Sequence, residues 1–210
     1  MKFEFFVKNI NKIEQGKLGG IGAQLKLAPE IRKKLAIDNI GKSDVRKAAV
    51  IALFYPNDSN ETTLVLTRRA SYKGTHSSQV SLPGGKVEEN DIDLKATALR
   101  ECFEEIGVNS KEITIFKEMT NVYIPPSNFL VTPFLGYSSK KPDFIANHEV
   151  AKIIQVPIKE VLDDNSVAYK NMSTSYEKNA NMPYFNLQKN TVWGATAMII
   201  SEIKELLISL

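Results

Sequence analysis

Residues 83–108 read Pro83-Gly84-Gly85-Lys86-Val87-Glu88-Glu89-Asn90-Asp91-Ile92-Asp93-Leu94-Lys95-Ala96-Thr97-Ala98-Leu99-Arg100-Glu101-Cys102-Phe103-Glu104-Glu105-Ile106-Gly107-Val108. A helical pattern runs from about Asp91 to Ile106, and Gly107 stops it. The apolar stretch Gln79-Val80-Ser81-Leu82 ends at Pro83-Gly84-Gly85, so the local unit is strand, glycine loop, helix. Seven carboxylates fall between positions 88 and 105, a density that usually marks a solvated face. Their spacing is more specific than that. At about 100° per residue, Glu101, Glu104 and Glu105 stand at i, i+3 and i+4 on one side of the helix. Leu99, Phe103 and Ile106 are expected on the opposite side, facing the core. Like charges at this spacing cost only about 0.2–0.5 kcal/mol per pair on an exposed helix, and much more beside a wall of low dielectric. Three such carboxylates favour a counter-cation. Hard oxygen donors without clustered thiolates or paired histidines suit Mg²⁺ or Mn²⁺, ions that keep several waters and bridge to substrate phosphates. Arg100 either orients a neighbouring carboxylate or forms an ordinary surface ion pair. Gly84 and Gly85 let the main chain approach a ligand or ion closely, although a plain tight turn explains them equally well.

Working outward, Ala48 to Tyr55 and Thr62 to Thr67 alternate as strands around the turn Pro56-Asn57-Asp58-Ser59-Asn60, a β-hairpin. Downstream, Glu112 to Phe116, Asn121 to Ile124, Phe129 to Leu135 and Val150 to Val156 read as strands, and Pro125-Pro126-Ser127-Asn128 as a turn. Ile158 to Leu162 suggests a helical turn. Ile199, Ile200, Ile203, Leu206 and Leu207 form the stripe of an amphipathic helix over Ala195 to Leu210. Strand groups mixed with isolated helices fit an α+β, layered α/β/α domain better than a regular parallel βαβ series. Residues 1–45 are expected to form an extension packed on a domain spanning 46–210. Within the extension a short helix is expected from Pro29 to Leu35. Gly19-Gly20-Ile21-Gly22 lacks the strand and third glycine of a dinucleotide fingerprint and reads as a flexible turn.

The chain has 210 residues, 43% hydrophobic and 24% charged, which is enough to bury one substantial core without a disulfide or structural metal. Its single cysteine, Cys102, excludes an internal disulfide and a thiolate zinc cluster; it reads as a packing residue and points to a reducing cytoplasm. Charge interrupts the N-terminus too often for a signal-peptide core, and no apolar run reaches the roughly 18 residues of a membrane span. Residues 1–50 carry eleven Lys/Arg against five Asp/Glu, but the basic positions are scattered without an RNA-binding aromatic signature. Neither nucleic acid nor membrane is the expected partner; a homodimer is compatible with the sequence.

Gly85 through Val108 resembles the Nudix box, in which a glycine is followed at some distance by R-E-x-x-E-E-x-G-aliphatic, here Arg100-Glu101-Cys102-Phe103-Glu104-Glu105-Ile106-Gly107-Val108. One extra residue separates Gly85 from Arg100, and the early glutamate of the box has no fixed equivalent among Glu88, Glu89 and Asp91. The longer spacing is similar to that of the coenzyme A pyrophosphatase branch. That branch also carries an upstream signature, L-L-T-x-R-(S/A) leading into H-x-G-Q-(I/V)-S-F-P-G-G. This chain has Val65-Leu66-Thr67-Arg68-Arg69-Ala70 and then His76-Ser77-Ser78-Gln79-Val80-Ser81-Leu82-Pro83-Gly84-Gly85, with Ser78 in place of a glycine and Leu82 in place of a phenylalanine. The arginine expected near Gly74 is missing, with Lys73 adjacent. The likeness extends through Asn121 to Tyr137, Glu149 to Pro157 and Trp193-Gly194-Ala195-Thr196.

The resemblance implies an α/β/α sandwich with a mixed sheet and a strand-loop-helix-loop catalytic unit, and metal-assisted attack of water on a diphosphate linkage. It implies Glu101, Glu104 and Glu105 as ligands of Mg²⁺ or Mn²⁺ together with Gly85, and Arg100 as the group that fixes Glu101. The general base is a box glutamate, such as Glu104, or Glu149. Arg68, Arg69, Lys73, His76, Gln79 and Gly84 are the implied substrate contacts. The implied substrate is coenzyme A or an acyl derivative, cleaved to 4′-phosphopantetheine and adenosine 3′,5′-bisphosphate. The alternatives are another nucleoside diphosphate derivative, such as ADP-ribose or a dinucleotide, and a non-catalytic ligand sensor, against which the full set of box carboxylates argues.

Overall fold

The computed structural model describes residues 1–29, 32, 45–70, 79–173 and 179–210. Strands β1 (Arg46–Pro56) and β2 (Thr62–Arg69) form the expected hairpin, pairing Phe54 with Leu64 and Pro56 with Thr62. β3 (Val80–Ser81), β4 (Gly84–Lys86), β5 (Thr114–Glu118), β6 (Val122–Ile124), β7 (Phe129–Tyr137) and β8 (Val150–Pro157) complete an eight-stranded sheet. The sheet is mixed: β1 runs parallel to β7 from Arg46↔Phe129 to Phe54↔Tyr137, and its other pairings are antiparallel. A three-stranded antiparallel sheet, β9 (Val167–Met172), β10 (Ala180–Leu187) and β11 (Asn190–Trp193), follows the short helix Ile158–Leu162.

One edge of β1 is shared between two partners. Its end, Phe54 to Pro56, pairs with β2, whereas Ala48 to Val50 pairs with β4, and the Ile51 N–H donates to the Pro83 carbonyl at 2.9 Å between them. The glycine loop therefore enters the sheet where β2 has separated from β1.

Alternation along β1 divides the core. Ala49, Ile51, Leu53 and Tyr55 face Ala98, Cys102 and Ile106 of a helix over Leu94–Ile106, while Ala52 and Phe54 face the helix Gly194–Ile208 and the N-terminal Phe6 and Ile13. The sheet thus lies between helical layers, the α+β sandwich expected from the sequence. The first layer's helix begins at Leu94, later than expected, because Asp93 is its cap and accepts from the Ala96 N–H at 2.7 Å. Gly107 closes it at φ +75, where its N–H reaches the Phe103 carbonyl at 2.8 Å.

The N-terminal segment forms helices α1 (Phe3–Lys8), α2 (Ile10–Gln15) and α3 (Gly20–Leu25) against the same core. The glycines read as a flexible turn instead open α3, and the sequence pattern did not disclose α1, α2 or the second sheet. The helix expected over Pro29 to Leu35 lies largely outside the described residues. Among the described residues no helix is long and apolar enough to cross a membrane.

Candidate active site

The helix Leu94–Ile106, numbered α4, is rolled relative to the expected orientation. Its sheet-facing residues are Ala98, Cys102 and Ile106, with Leu99 only partly buried, and Phe103 is 54% exposed. Small side chains at 98 and 102 let the helix sit close to β1, which turns Phe103 outward and draws the carboxylate side toward the protein. Glu105 is consequently buried, at 3% exposure, and Glu101 mostly so, while Glu104 stays at the surface. Cys102 lies in the apolar layer, where burial pushes its thiol up to about 12, and it serves as packing.

Each inward carboxylate meets a fixed partner. The Gly84 N–H donates to Glu105 Oε2 at 3.2 Å, and Arg69 Nη1 to Glu105 Oε1 at 3.4 Å. Arg69 Nη2 also donates to Glu149 Oε2 at 3.2 Å. Glu149 sits in a loop moored to the end of α4: the Ile145 N–H donates to the Ile106 carbonyl at 2.9 Å and the Asn147 N–H to the Glu105 carbonyl at 3.1 Å. Asn147 Oδ1 then accepts from the Glu149 N–H at 2.9 Å, and the Glu149 carbonyl from the Ala70 N–H at 2.7 Å. These bonds satisfy carbonyls that the helix end leaves open and hold Glu149 beside Arg69.

Arg100 organises the other side. Its Nη1 donates at 3.1 Å both to Glu101 Oε1 and to Glu104 Oε2, and its Nη2 to the Lys86 carbonyl at 3.0 Å. It is itself held by Asp91 through Nε to Oδ1 at 2.9 Å and Nη2 to Oδ2 at 3.0 Å. Asp91 also accepts from the Glu88 N–H and the Thr97 hydroxyl, so the loop between β4 and α4 closes on this carboxylate. The Arg100 guanidinium holds the Asp91 carboxyl well below the usual carboxylate range. Sequence reasoning did not single out Asp91, one of several acids before the helix; loop closure selects it.

Burial pushes Glu105 up to about 7, reinforced by the charges of Glu101 and Glu149 and opposed by Arg69 and the Gly84 N–H. Burial also raises Glu101, against the pull of Arg100. Gly85 lies directly over this group, since a Cβ there would overlap the Glu101 carboxyl. Glu101, Glu105 and Glu149 thus repel one another in a partly desolvated space beside an unshielded main chain. That is an all-oxygen donor set suited to a hard divalent ion. Among the described residues no three acidic, histidine or cysteine side chains are already gathered in a metal-binding geometry. Their oxygens are turned toward Arg69 and Arg100 instead.

Of the sequence-derived substrate contacts, Arg69 and Gly84 join this site. Gln79 flanks it, its carbonyl accepting from the Arg69 N–H at 3.0 Å. Arg68 does not join it. The register shift opposite Arg68 and Arg69 skips a residue of β8, so alternation in β2 is intact and Arg68 follows Leu64 and Leu66 to the far face of the sheet. Lys73 and His76 lie outside the described residues.

Comparisons with known proteins identify the family and the fold. The NUDIX domain profile matches residues 45–175. The chain is 32% identical over 144 residues to NudL of Photorhabdus laumondii, an uncharacterized Nudix hydrolase, covering 68% of this chain and 76% of that protein. NudL of Yersinia pestis, likewise uncharacterized, is 32% identical over 147 residues, covering 69% and 72%. Among solved structures, the Nudix hydrolase RenU of M. smegmatis aligns with a TM-score of 0.56 at 15% identity, covering 79% of this chain and 87% of RenU. A MutT protein of Methanosarcina mazei Go1 aligns with a TM-score of 0.51 at 18% identity, covering 80% of this chain and 100% of that protein. With the strand-loop-helix unit and its carboxylates in place, these matches establish that the chain belongs to the Nudix family.

Proposed function

We propose that this Nudix hydrolase cleaves the diphosphate linkage of coenzyme A or an acyl derivative, giving 4′-phosphopantetheine and adenosine 3′,5′-bisphosphate. The observation that carries the reaction type is the set of contacts at the glycine loop: Glu105 takes the Gly84 N–H and Arg69, Glu149 shares that arginine, and the Glu101 carboxyl lies against Gly85. The substrate class rests on the upstream signature around Arg69, Gln79 and Pro83-Gly84-Gly85. Glu101 and Glu105, with Glu104 and the Gly85 main chain, are the residues that would hold Mg²⁺ or Mn²⁺. Such an ion, when bound, neutralises diphosphate oxygens and lowers the pKa of water.

The side chains divide the remaining work. Arg100, fixed by Asp91, keeps Glu101 in one orientation. Arg69 offers its guanidinium fork to a phosphate. Glu149 is half exposed and loop-borne, so water reaches it, whereas Glu104 is tied to Arg100 and Glu105 is buried. We assign Glu149 to take the proton from the attacking water. A panel of coenzyme A, ADP-ribose and dinucleotides, assayed with Mg²⁺ and with Mn²⁺ for phosphorylated products, tests this reading. Preferential cleavage of coenzyme A is the expected result. A clear preference for ADP-ribose overturns the substrate assignment, and no turnover of any diphosphate overturns the reaction.

A further inference from the structure

We infer that the cleft between the C-terminal helix and the β9–β10 pair is a second ligand site, which takes a small monocarboxylate with an apolar chain on the ammonium of Lys204. It is separate from the candidate active site, because the C-terminal helix covers the face of the sheet opposite α4.

The cleft has a volume of about 360 Å³ and is built from three elements. Lys204 and Ile208 stand one turn apart on the C-terminal helix. Phe185 of β10 lies opposite Val167 of β9, and Leu27 follows the end of α3. Apart from its charged groups the lining is therefore mainly apolar.

Lys204 is the enclosed charge of this cleft. Its side chain is 11% exposed, and Nζ donates to the Asp163 carbonyl at 3.1 Å and to Asp164 Oδ1 at 2.8 Å. Asp164 is almost fully exposed, so water screens the one carboxylate paired with this ammonium. A largely buried cation needs both pairing and hydrogen bonds. Of its three N–H donors, two have these acceptors among the described residues. The Phe185 ring centre is 5.9 Å away, at the outer limit of a cation–π contact. An anionic oxygen from a ligand completes the set.

The rim limits what that ligand can be. Lys26 and Glu205 pair there at 2.6 Å and neutralise each other. With Asp164 and Glu205 both bordering the cleft, a second negative charge on the ligand is repelled, whereas a single carboxylate answers Lys204. At about 30 Å³ per non-hydrogen group, the volume holds about ten to twelve such groups, which an eight-carbon carboxylate fills.

The test is calorimetric titration of octanoate into the full chain as wild type, Lys204→Met and Val167→Phe. Wild type should bind one octanoate, and butyrate and octylamine should bind at least about tenfold more weakly. Lys204→Met keeps the bulk of the stem without its charge and should weaken octanoate binding by about tenfold or more. Val167→Phe narrows the cleft, leaves the ammonium in place, and should weaken binding as well. Circular dichroism establishes that each variant is folded; should Lys204→Met not fold, Val167→Phe decides the location. Absence of saturable binding in wild type, or undiminished binding in either folded variant, overturns the inference. Butyrate binding as tightly as octanoate overturns the apolar chain, and displacement of octanoate by equimolar inorganic phosphate overturns the single charge.

Discussion

Arg100 lies against Asp91 in a two-point fork, Nε to Oδ1 at 2.9 Å and Nη2 to Oδ2 at 3.0 Å, across nine residues of sequence. Through it the loop before α4 fixes the arginine that in turn touches Glu101 and Glu104. Asp91→Asn keeps the size but loses the charge-assisted pair, worth about 1.5–3 kcal/mol. Stability in urea at pH 7 should fall by that order, and kcat by roughly tenfold or more because Glu101 loses its orientation. The sign with pH follows from the depressed Asp91 pKa. Its contribution is present above the ordinary carboxylate range and is lost as pH falls toward the lower folded value. The stability gap between wild type and variant should therefore begin to narrow below about pH 4 and go on shrinking as pH falls; a gap that persists unchanged at pH 3 would contradict the assignment.

Glu105 behaves in the opposite sense. Its pKa is raised to about 7, so folding favours the protonated form. The stability this contributes is present below the unfolded carboxylate value and is lost as pH rises through 7. Glu105→Gln removes that loss. In EDTA at pH 8 the variant should melt a few degrees above wild type, since about 1 kcal/mol corresponds to about 2–4 °C for a chain of this length. At pH 5 the two should converge. The same variant should lose Mg²⁺-dependent turnover, as should Glu101→Gln with its fold intact. Melting curves and turnover on the same preparations separate loss of function from loss of fold.

The two adjacent glycines should fail differently. Gly84 has φ +149, and a Cβ there would collide with the Ala49 carbonyl and Val50, so Gly84→Ala strains the backbone inside the sheet. A loss of about 1–3 kcal/mol in urea melts is expected. At Gly85 the obstruction is the Glu101 carboxyl, the end of a side chain that can swing away. Gly85→Ala should keep most of its stability but weaken Mn²⁺ binding and cut turnover. If the two variants lose stability equally, the distinction drawn from their neighbours is wrong.

The hairpin, the glycine loop, α4 and the C-terminal helix were legible because their patterns are local: alternation in β1, the Gly107 stop, and the apolar stripe through Ile203 and Leu207. The clustering of Glu101 and Glu105 was legible for the same reason. The roll of α4 was not, because apolarity alone favours Phe103 for the core, whereas close approach to β1 selects Ala98 and Cys102. Asp91 meets the Arg100 guanidinium through loop closure and Arg69 meets Glu105 through strand separation, which no spacing rule encodes. The three-stranded sheet was missed because β9, Val-Ala-Tyr-Lys-Asn-Met, neither alternates nor has a fully buried position, whereas β1 is mostly buried.

The N-terminal segment offers the last prediction, because its attachment is polar as well as apolar. Glu202, fully buried on the C-terminal helix, accepts from the Gly20 N–H at 2.9 Å, Gln24 Nε2 at 3.2 Å and the Thr120 hydroxyl at 2.6 Å. One carboxylate therefore joins α3, the C-terminal helix and the segment between β5 and β6. Glu202→Ala leaves the Gly20 N–H and the Thr120 hydroxyl without this acceptor, each with a desolvation cost of about 1–3 kcal/mol when no water replaces it, while Gln24 Nε2 keeps its bond to the Thr120 carbonyl. Stability should fall by at least about 2 kcal/mol. Amide exchange should quicken first in α1–α3, while the protection of β1 and α4 tracks only the global loss. Uniform acceleration across the whole chain would mean that Glu202 supports the core in general and is not the point at which the N-terminal segment is fastened.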